Sequence, residues 1–289
     1  MLDGNLKSDA RRINRYSKLE NDAFSDMLTI VILTRNEAKR LPYCLEAIPS
    51  TYPVVVVDSC SDDETVRIAR ERGCTVFKQT WLGFAGQRNF AMENCDIKTE
   101  WVLFVDADEF YPSEFFAWVE SRPALLKNID VLMVPSWLVF CGKRLRHAPG
   151  YPIYHPRLVR RGISPFTVGH AGHSETLLPG VRVGYGHIAY DHHFFDGDIL
   201  AWMQKHIRLA GMEAAAAPTA GALSARARLS LSIGKNIGRT PGRFIYHYFI
   251  RGGFHDGWRG FIYSLMYAWY ELTKYLLAQF QKRGRKIDV

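Results

Sequence analysis

The sequence predicts an α/β fold built on a mostly parallel sheet flanked by helices, and three observations carry that prediction. Short apolar runs alternate with helical segments through the first half of the chain. Each run stops abruptly at a polar turn, and these turns follow one another in chain order. Alternation of this kind implies βαβ units, whose crossovers cover both faces of the sheet and bury its strands.

The elements follow in order. Leu28–Leu33 is a short β-branched run, and Glu37–Ile48 has the apolar spacing of an amphipathic helix. Val54–Val57 is a second strand. Ser61-Asp62-Asp63-Glu64 reads as a capping box that opens a helix over Asp63–Arg72, which Gly73 ends. Thr75–Gln79 is a third strand, Gln87–Asn94 a helix, Trp101–Val105 a fourth strand and Val131–Phe140 a further one. From about Gly142 the pattern changes. His155–Arg161 and Val181–Tyr190 read as strands among Gly- and His-rich loops, Asp198–Ala217 as a helix stopped by Pro218, and Ala220–Asn236 as another. The expected organisation is an N-terminal arm over 1–26, an α/β domain over 27–217 and a helical extension over 218–289.

Composition narrows the partners. The 289 residues are 47% hydrophobic and 23% charged, as in a globular protein, and the formal charge of +8 predicts an anionic partner. By charge alone a nucleotide, an anionic membrane surface and a nucleic acid all qualify. Five widely spaced cysteines (Cys44, Cys60, Cys74, Cys95, Cys141) without a Cys-x-x-Cys argue against a disulfide framework and a cysteine zinc site, and read as reduced, buried small hydrophobes. Met1–Asp26 is charged and lacks the apolar core of a signal peptide. Phe261–Phe280 is aromatic, helical in spacing, and interrupted by Glu271 and Lys274, which argues against a spanning helix. Arg251 and Arg259 precede it, and Lys282, Arg283, Arg285 and Lys286 follow it. That arrangement suits a helix lying in the membrane interface, the alternative being one packed on protein.

The chemistry concentrates at the strand ends. Trp101–Val105 runs into Asp106-Ala107-Asp108, two carboxylates that suit a hard divalent cation bringing phosphate with it. The first strand ends in Thr34-Arg35-Asn36-Glu37 and the second in Asp58-Ser59-Cys60-Ser61-Asp62-Asp63. The third leads to Gln79 and then to Gly83-Phe84-Ala85-Gly86-Gln87-Arg88-Asn89. In a parallel sheet all four ends lie on one edge, where open α/β sheets bind their ligands.

These residues, taken as an ordered set over roughly 28–110, resemble the family 2 glycosyltransferases of the GT-A (Rossmann-like) fold. The later Pro156-Arg157-Leu158-Val159-Arg160, the Gly-His…Glu turn, the His192–Ala214 helix and Arg251-Gly252-Gly253-Phe254-His255-Asp256-Gly257 look like a bacterial subgroup that builds lipopolysaccharide core or exopolysaccharide. The resemblance implies a nucleoside-diphosphate site formed by Thr34, Asn36, Glu37, Asp58, Gln79, Arg88, Asp106 and Ala107. In it Glu37 and Asp58 would accept hydrogen bonds from base and ribose, and Arg88 would stand near the pyrophosphate. Asp108 would be the principal ligand of Mg²⁺ or Mn²⁺, with Asp106 on the ribose. An inverting displacement needs a base across the sugar from the metal. The resemblance points to Glu175, with His173 second, although Ser174 separates the His-Glu pair that is commonly adjacent.

His187, His192 and His193 read as structural histidines rather than metal ligands. The expected activity is transfer of a sugar from a nucleotide donor, expected to be UDP-linked, to a lipid-linked saccharide acceptor. Transfer would take place at the cytoplasmic face of the cell membrane, on an anionic surface and with no nucleic acid partner. With neither a Gln-x-x-Arg-Trp segment nor spanning helices, one sugar per encounter is expected. The rivals are a polyprenyl-phosphate glycosyltransferase, whose anionic acceptor needs no base, and a nucleotidyltransferase, whose Gly-rich loop is missing near the first strand. A non-catalytic basic module binding RNA or membrane would not depend on Asp108.

Overall fold

The computed structural model describes residues 27–163, 166, 177–215 and 237–283. The expected arm over 1–26, the helix expected over Ala220–Asn236, the boundary at 217–218, the basic residues Arg285 and Lys286, and both base candidates, His173 and Glu175, lie outside them. The chain divides into two compact units. One takes in the described residues up to Pro135 with Tyr154–Phe166 and Leu177–Tyr190; the other takes in Ser136–Ile153 and the described residues from Asp191 onward.

The first unit opens with β1 (Leu28–Thr34), α1 (Leu41–Glu46), β2 (Val54–Asp58), α2 (Thr65–Glu71), β3 (Thr75–Lys78), α3 (Gly83–Asn94) and β4 (Trp101–Asp106). The strands lie in the order β3-β2-β1-β4 and all pair in parallel. Side chains alternate across the sheet. Ile30, Ile32, Val56, Leu103 and Val105 join Leu41, Phe115 and Phe116 on one face, while Val31, Leu33, Val57, Val102 and Phe104 join Ala91, Cys95 and Ile97 on the other. Each such Val, Leu, Ile or Phe contributes about 1.5–3 kcal/mol by burial, which explains strands that read as unbroken apolar runs.

Beyond β4 come β5 (Glu109–Phe110), α4 (Ser113–Glu120), α5 (Pro123–Lys127), β6 (Val131–Phe140), β7 (Lys143–Arg144), β8 (Ile153–Arg160), β9 (Val183–Tyr185) and β10 (Tyr190–Phe195). β8 runs antiparallel beside β4, with Leu158 opposite Leu103, so the sheet is parallel in its first four strands and mixed beyond them. The run Val181–Tyr190, expected as one strand, is instead split between β9 and the start of β10. Between them His187 packs edge-on against Trp118.

Two helix starts differ from expectation because side chains are used elsewhere. α1 begins at Leu41 rather than Glu37, since the Glu37 and Ala38 amides donate to Thr65 Oγ1 (2.8 Å) and Asp63 Oδ2 (3.1 Å). Ser61 does not cap α2. Its hydroxyl serves Asp58 and the Asn36 amide, and Asp63 instead accepts the Thr65 amide at 3.0 Å. Of the cysteines, Cys44, Cys74 and Cys95 are buried as expected, and burial pushes the last two thiols up to about 11. Cys60 is exposed, on a left-handed turn at φ 59°.

Just before β6, Asp130 accepts two side-chain hydrogen bonds from Arg182 (2.6 and 3.0 Å) and its backbone amide (3.0 Å). The Arg182 guanidinium outweighs burial and lowers the carboxyl to about 2. A depressed carboxyl stabilises the fold above its unfolded value near 4 and loses that contribution as pH falls toward the folded value. With Arg182 more than half exposed, the effect is on the order of 1 kcal/mol. Urea unfolding of Asp130→Asn against wild type should therefore show the stability gap closing between about pH 4 and pH 2.

The second unit contains β7, α6 (Ile199–Ala215), α7 (Arg239–Ile245), a π-helical turn (Tyr246–Ile250), a 3₁₀ turn (Gly253–Asp256) and α8 (Gly257–Lys282). Its core joins Leu138, Phe140, Phe195, Trp202, Tyr263 and Met266. Asp256 accepts the amides of Arg146, His147 and Ala148 at 2.8–3.0 Å, tying the loop after β7 to the start of α8. Glu271 is buried and receives Arg243 and Lys274, both at 3.1 Å, with Arg239 at 3.7 Å. Against the pull of burial these cations lower its carboxyl below the usual range. The charges that interrupt α8 are thus internal pairings, and its Tyr263, Met266, Ala268 and Tyr270 face are packed on protein. Among the described residues no helix is long and apolar enough to cross a membrane.

Candidate active site

Parallel register brings the polar ends of four strands into one row in the first unit. Thr34 pairs with Asp58, Leu33 with Asp106, and Asp58 with Lys78. Asp58 is fully buried. Its Oδ1 accepts the hydroxyls of Thr34 (3.0 Å) and Ser61, and its Oδ2 accepts the Ser61 amide at 2.8 Å. Three of a carboxylate's roughly four acceptor sites are thereby used within the chain. Asn36, at φ 56°, donates its amide to Ser61 Oγ (2.8 Å) and accepts the Asp62 amide on Oδ1 (3.0 Å). The loops after β1 and β2 are therefore one hydrogen-bonded unit. Glu37 sits beside them, partly exposed, with Arg40 3.5 Å from its carboxylate.

The turn into α3 joins the same edge. Gln87 is buried and donates from Nε2 to Ser59 Oγ (2.7 Å) and to the Gln79 carbonyl (3.3 Å). Arg88 is fully buried among the rings of Phe84, Phe104 and Phe166, at 5.7–6.0 Å, and its Nη2 lies 3.2 Å from Asp106 Oδ1. The guanidinium expected beside a pyrophosphate is thus held on the first acid of Asp-Ala-Asp.

Arg157 on β8 completes the arrangement. It is 2% exposed, and its Nη2 donates to Asp106 Oδ2 (3.0 Å) and Glu109 Oε1 (2.6 Å). Glu109 returns across the turn to accept the Asp106 amide at 3.2 Å. The sequence shows no cation between the two aspartates, yet in space two guanidiniums grip Asp106. Asp108 is 7% exposed and Ala107 is buried beside it. The acids leave their mark on a neighbour: burial foremost, then Glu109, Asp108 and Asp106, raise the Cys44 thiol, which donates to the Glu109 carbonyl at 3.6 Å.

Two carboxylates, Asp106 and Glu109, thus face two guanidiniums at the end of β4, with Asp108 between them in the chain, and oxygen donors of this kind suit a hard divalent cation. Among the described residues no three His, Cys, Asp or Glu are grouped closely enough to hold an ion unaided. Mg²⁺-type ions use one or two carboxylates together with substrate phosphates, so Asp108 with its neighbours can supply the protein's share. Of the three histidines expected to be structural, His187 packs on Trp118, His192 lies 6.4 Å from the Phe194 ring and His193 lies 3.5 Å from Asp196. The roles of Arg157, Glu109 and Gln87 were not read from the sequence. The available signal was a cation in an apolar strand, since a buried arginine requires a counter-charge.

The chain is similar to known proteins over part of its length. Residues 29–119 match the model of Glycosyl transferase family 2. An uncharacterized glycosyltransferase of Rickettsia conorii is 39% identical over 90 residues, 31% of each chain. The lipopolysaccharide core biosynthesis glycosyltransferase LpsC of Rhizobium meliloti is 30% identical over 171 residues, 54% of this chain and 59% of that one. The chain thus matches only about a third to three-fifths of the length of these relatives. A mannosyltransferase of Pyrobaculum calidifontis, solved with GDP-Man and Mn²⁺, is 16% identical and covers 88% of this chain and 87% of its own, with a TM-score of 0.54. The fold is that of the GT-A glycosyltransferases. Residues 29–119 thus resemble family 2 glycosyltransferases, and over about half its length the chain is similar to a lipopolysaccharide-core member of that family.

Proposed function

We propose that the chain is an inverting, metal-dependent, non-processive glycosyltransferase, moving a sugar from a nucleotide-sugar, expected to be UDP-linked, to a lipid-linked glycan. The observation that supports this most is the clustering of Asp106 and Glu109 on two buried arginines, with the nearly buried Asp108 between them in the chain, beside the Thr34–Asp58 pair on one sheet edge. Such an edge can take a base and ribose on the β1 and β2 loops and a diphosphate at the end of β4. Asp58, Asn36 and Ser61 act by holding those loops in place. A bound Mg²⁺ or Mn²⁺ would supply positive charge for the diphosphate.

In the reaction the acceptor oxygen forms a bond to the anomeric carbon while the bond to the diphosphate breaks, and the nucleoside diphosphate leaves with the electron pair. The hydroxyl proton passes to Glu175 or, as the alternative, His173. The acceptor's lipid anchor would keep the enzyme on the cytoplasmic face of the membrane, in cell-envelope polysaccharide or lipopolysaccharide synthesis. Calorimetric titration of the full chain with UDP, GDP and a panel of UDP-sugars, with and without Mn²⁺, tests the reading. Metal-dependent binding of one nucleotide assigns the donor class. Folded protein that binds none of them overturns it.

A further inference from the structure

The exposed apolar surface of the second unit gathers at the corner where α7, the two short turns and the start of α8 meet. Phe249 is 57% exposed, Ile250 71% and Trp258 56%. Phe254 and Phe261 are exposed with them. Ring contacts make the patch continuous: Phe244 touches Phe249 (6.4 Å) and Phe261 (5.6 Å), and Tyr248 touches Phe254 (6.3 Å) and Phe261 (5.6 Å). Trp258, Phe261 and Leu265 recur at helical spacing, so one stripe of α8 extends the patch, and all three are exposed. Exposed aromatic surface on this scale marks an interaction site.

Charge identifies the occupant. Residues 237–267 contain four arginines and a single acid, Asp256. That acid is taken by three backbone amides, and Arg239 and Arg243 answer Glu271. Arg251 is exposed at the rim, while Arg259 is half-buried, its guanidinium 4.6 Å from the Trp258 ring and donating to the Cys141 carbonyl at 3.3 Å. Aromatic side chains with arginines beside them suit a bilayer interface, where rings enter the headgroup boundary and cations meet lipid phosphates. A second copy fits less well, because a two-fold contact would bring this patch against itself and set cation against cation.

We propose that this corner docks the chain on an anionic phospholipid bilayer, with Phe249, Ile250, Phe254 and Trp258 entering the interface and Arg251 at headgroup phosphates. The proposal rests on the reading that the acceptor is lipid-linked. It assigns the contact to the turns before α8 and its first helical turns rather than to the whole length of that helix.

Co-sedimentation of the full chain with phosphatidylcholine vesicles, with and without phosphatidylglycerol, is the test. Wild type should bind the anionic vesicles, and Phe249→Ser/Ile250→Ser and Arg251→Glu should each weaken binding about tenfold or more. Both variants change exposed positions, so their circular dichroism and their nucleotide titration should match wild type, which separates this proposal from the assignment of the donor site. Wild type left in the supernatant, or variants that bind as wild type does, would overturn it. So would a wild-type dimer in sedimentation velocity that the double variant converts to monomer, since a second copy would then cover the patch.

Discussion

Titration of Asp108→Ala with the nucleotide that wild type binds is expected to show the Mn²⁺-dependent part of the affinity gone. Asp108 is nearly buried at the end of β4, beside an Asp106 that is already gripped by Arg88 and Arg157. The resemblance to family 2 glycosyltransferases assigns the ion to Asp108, which would share it with phosphate. Losing a charge-neutralising ion at a diphosphate should remove about 3 kcal/mol, roughly a hundredfold in affinity, when Mn²⁺ is present. Without Mn²⁺ the two proteins should bind alike. Thermal unfolding recorded alongside separates a lost ligand from a lost fold. If Asp108→Ala retains wild-type, metal-dependent affinity, the ion is held elsewhere.

Arg157→Met should lower stability by about 3–5 kcal/mol in urea unfolding, because it strips a buried ion pair of its cation. Glu109 has no exposed side-chain surface, and Arg157 is its 2.6 Å partner. Deprived of it, the carboxylate is driven toward its neutral form, so its folded pKa rises above the unfolded value. A raised carboxyl is worth most below the unfolded value, near pH 4, and that stability is lost as pH rises through the folded value. The variant should therefore weaken from pH 5 to pH 8 relative to wild type. Glu109→Gln in the same chain should restore part of the loss, since neutralising both partners relieves the stranded charge. A variant within about 1 kcal/mol of wild type at neutral pH would show that Arg157 does not hold the cluster together.

The legible part of the site was the part carried by local order. Thr34, Asp58 and Asp106 each end a strand, with Asp108 in the turn two residues on, and parallel pairing must bring such ends to one edge. Arg157 was not legible in this way, because it enters the cluster from β8, 51 residues beyond Asp106, through an antiparallel pairing that no periodicity announces. The capping-box reading at Ser61 failed for a related reason. A hydroxyl able to cap a helix can equally bond a carboxylate brought near by another strand, and Asp58 took it.

Sequence by itself determined the α/β class, the first four strands, the polar strand ends and the identity of the acids among them, since all of these follow from hydrophobic period and turn chemistry. Only the tertiary structure decided which charges neutralise which. It placed Arg88 and Arg157 on Asp106, buried Glu271 under three cations, and left the aromatic residues before and at the start of α8 on the surface. The physical reason is that hydrophobic burial acts on each segment through its own periodicity, whereas ion pairing depends on distance in space.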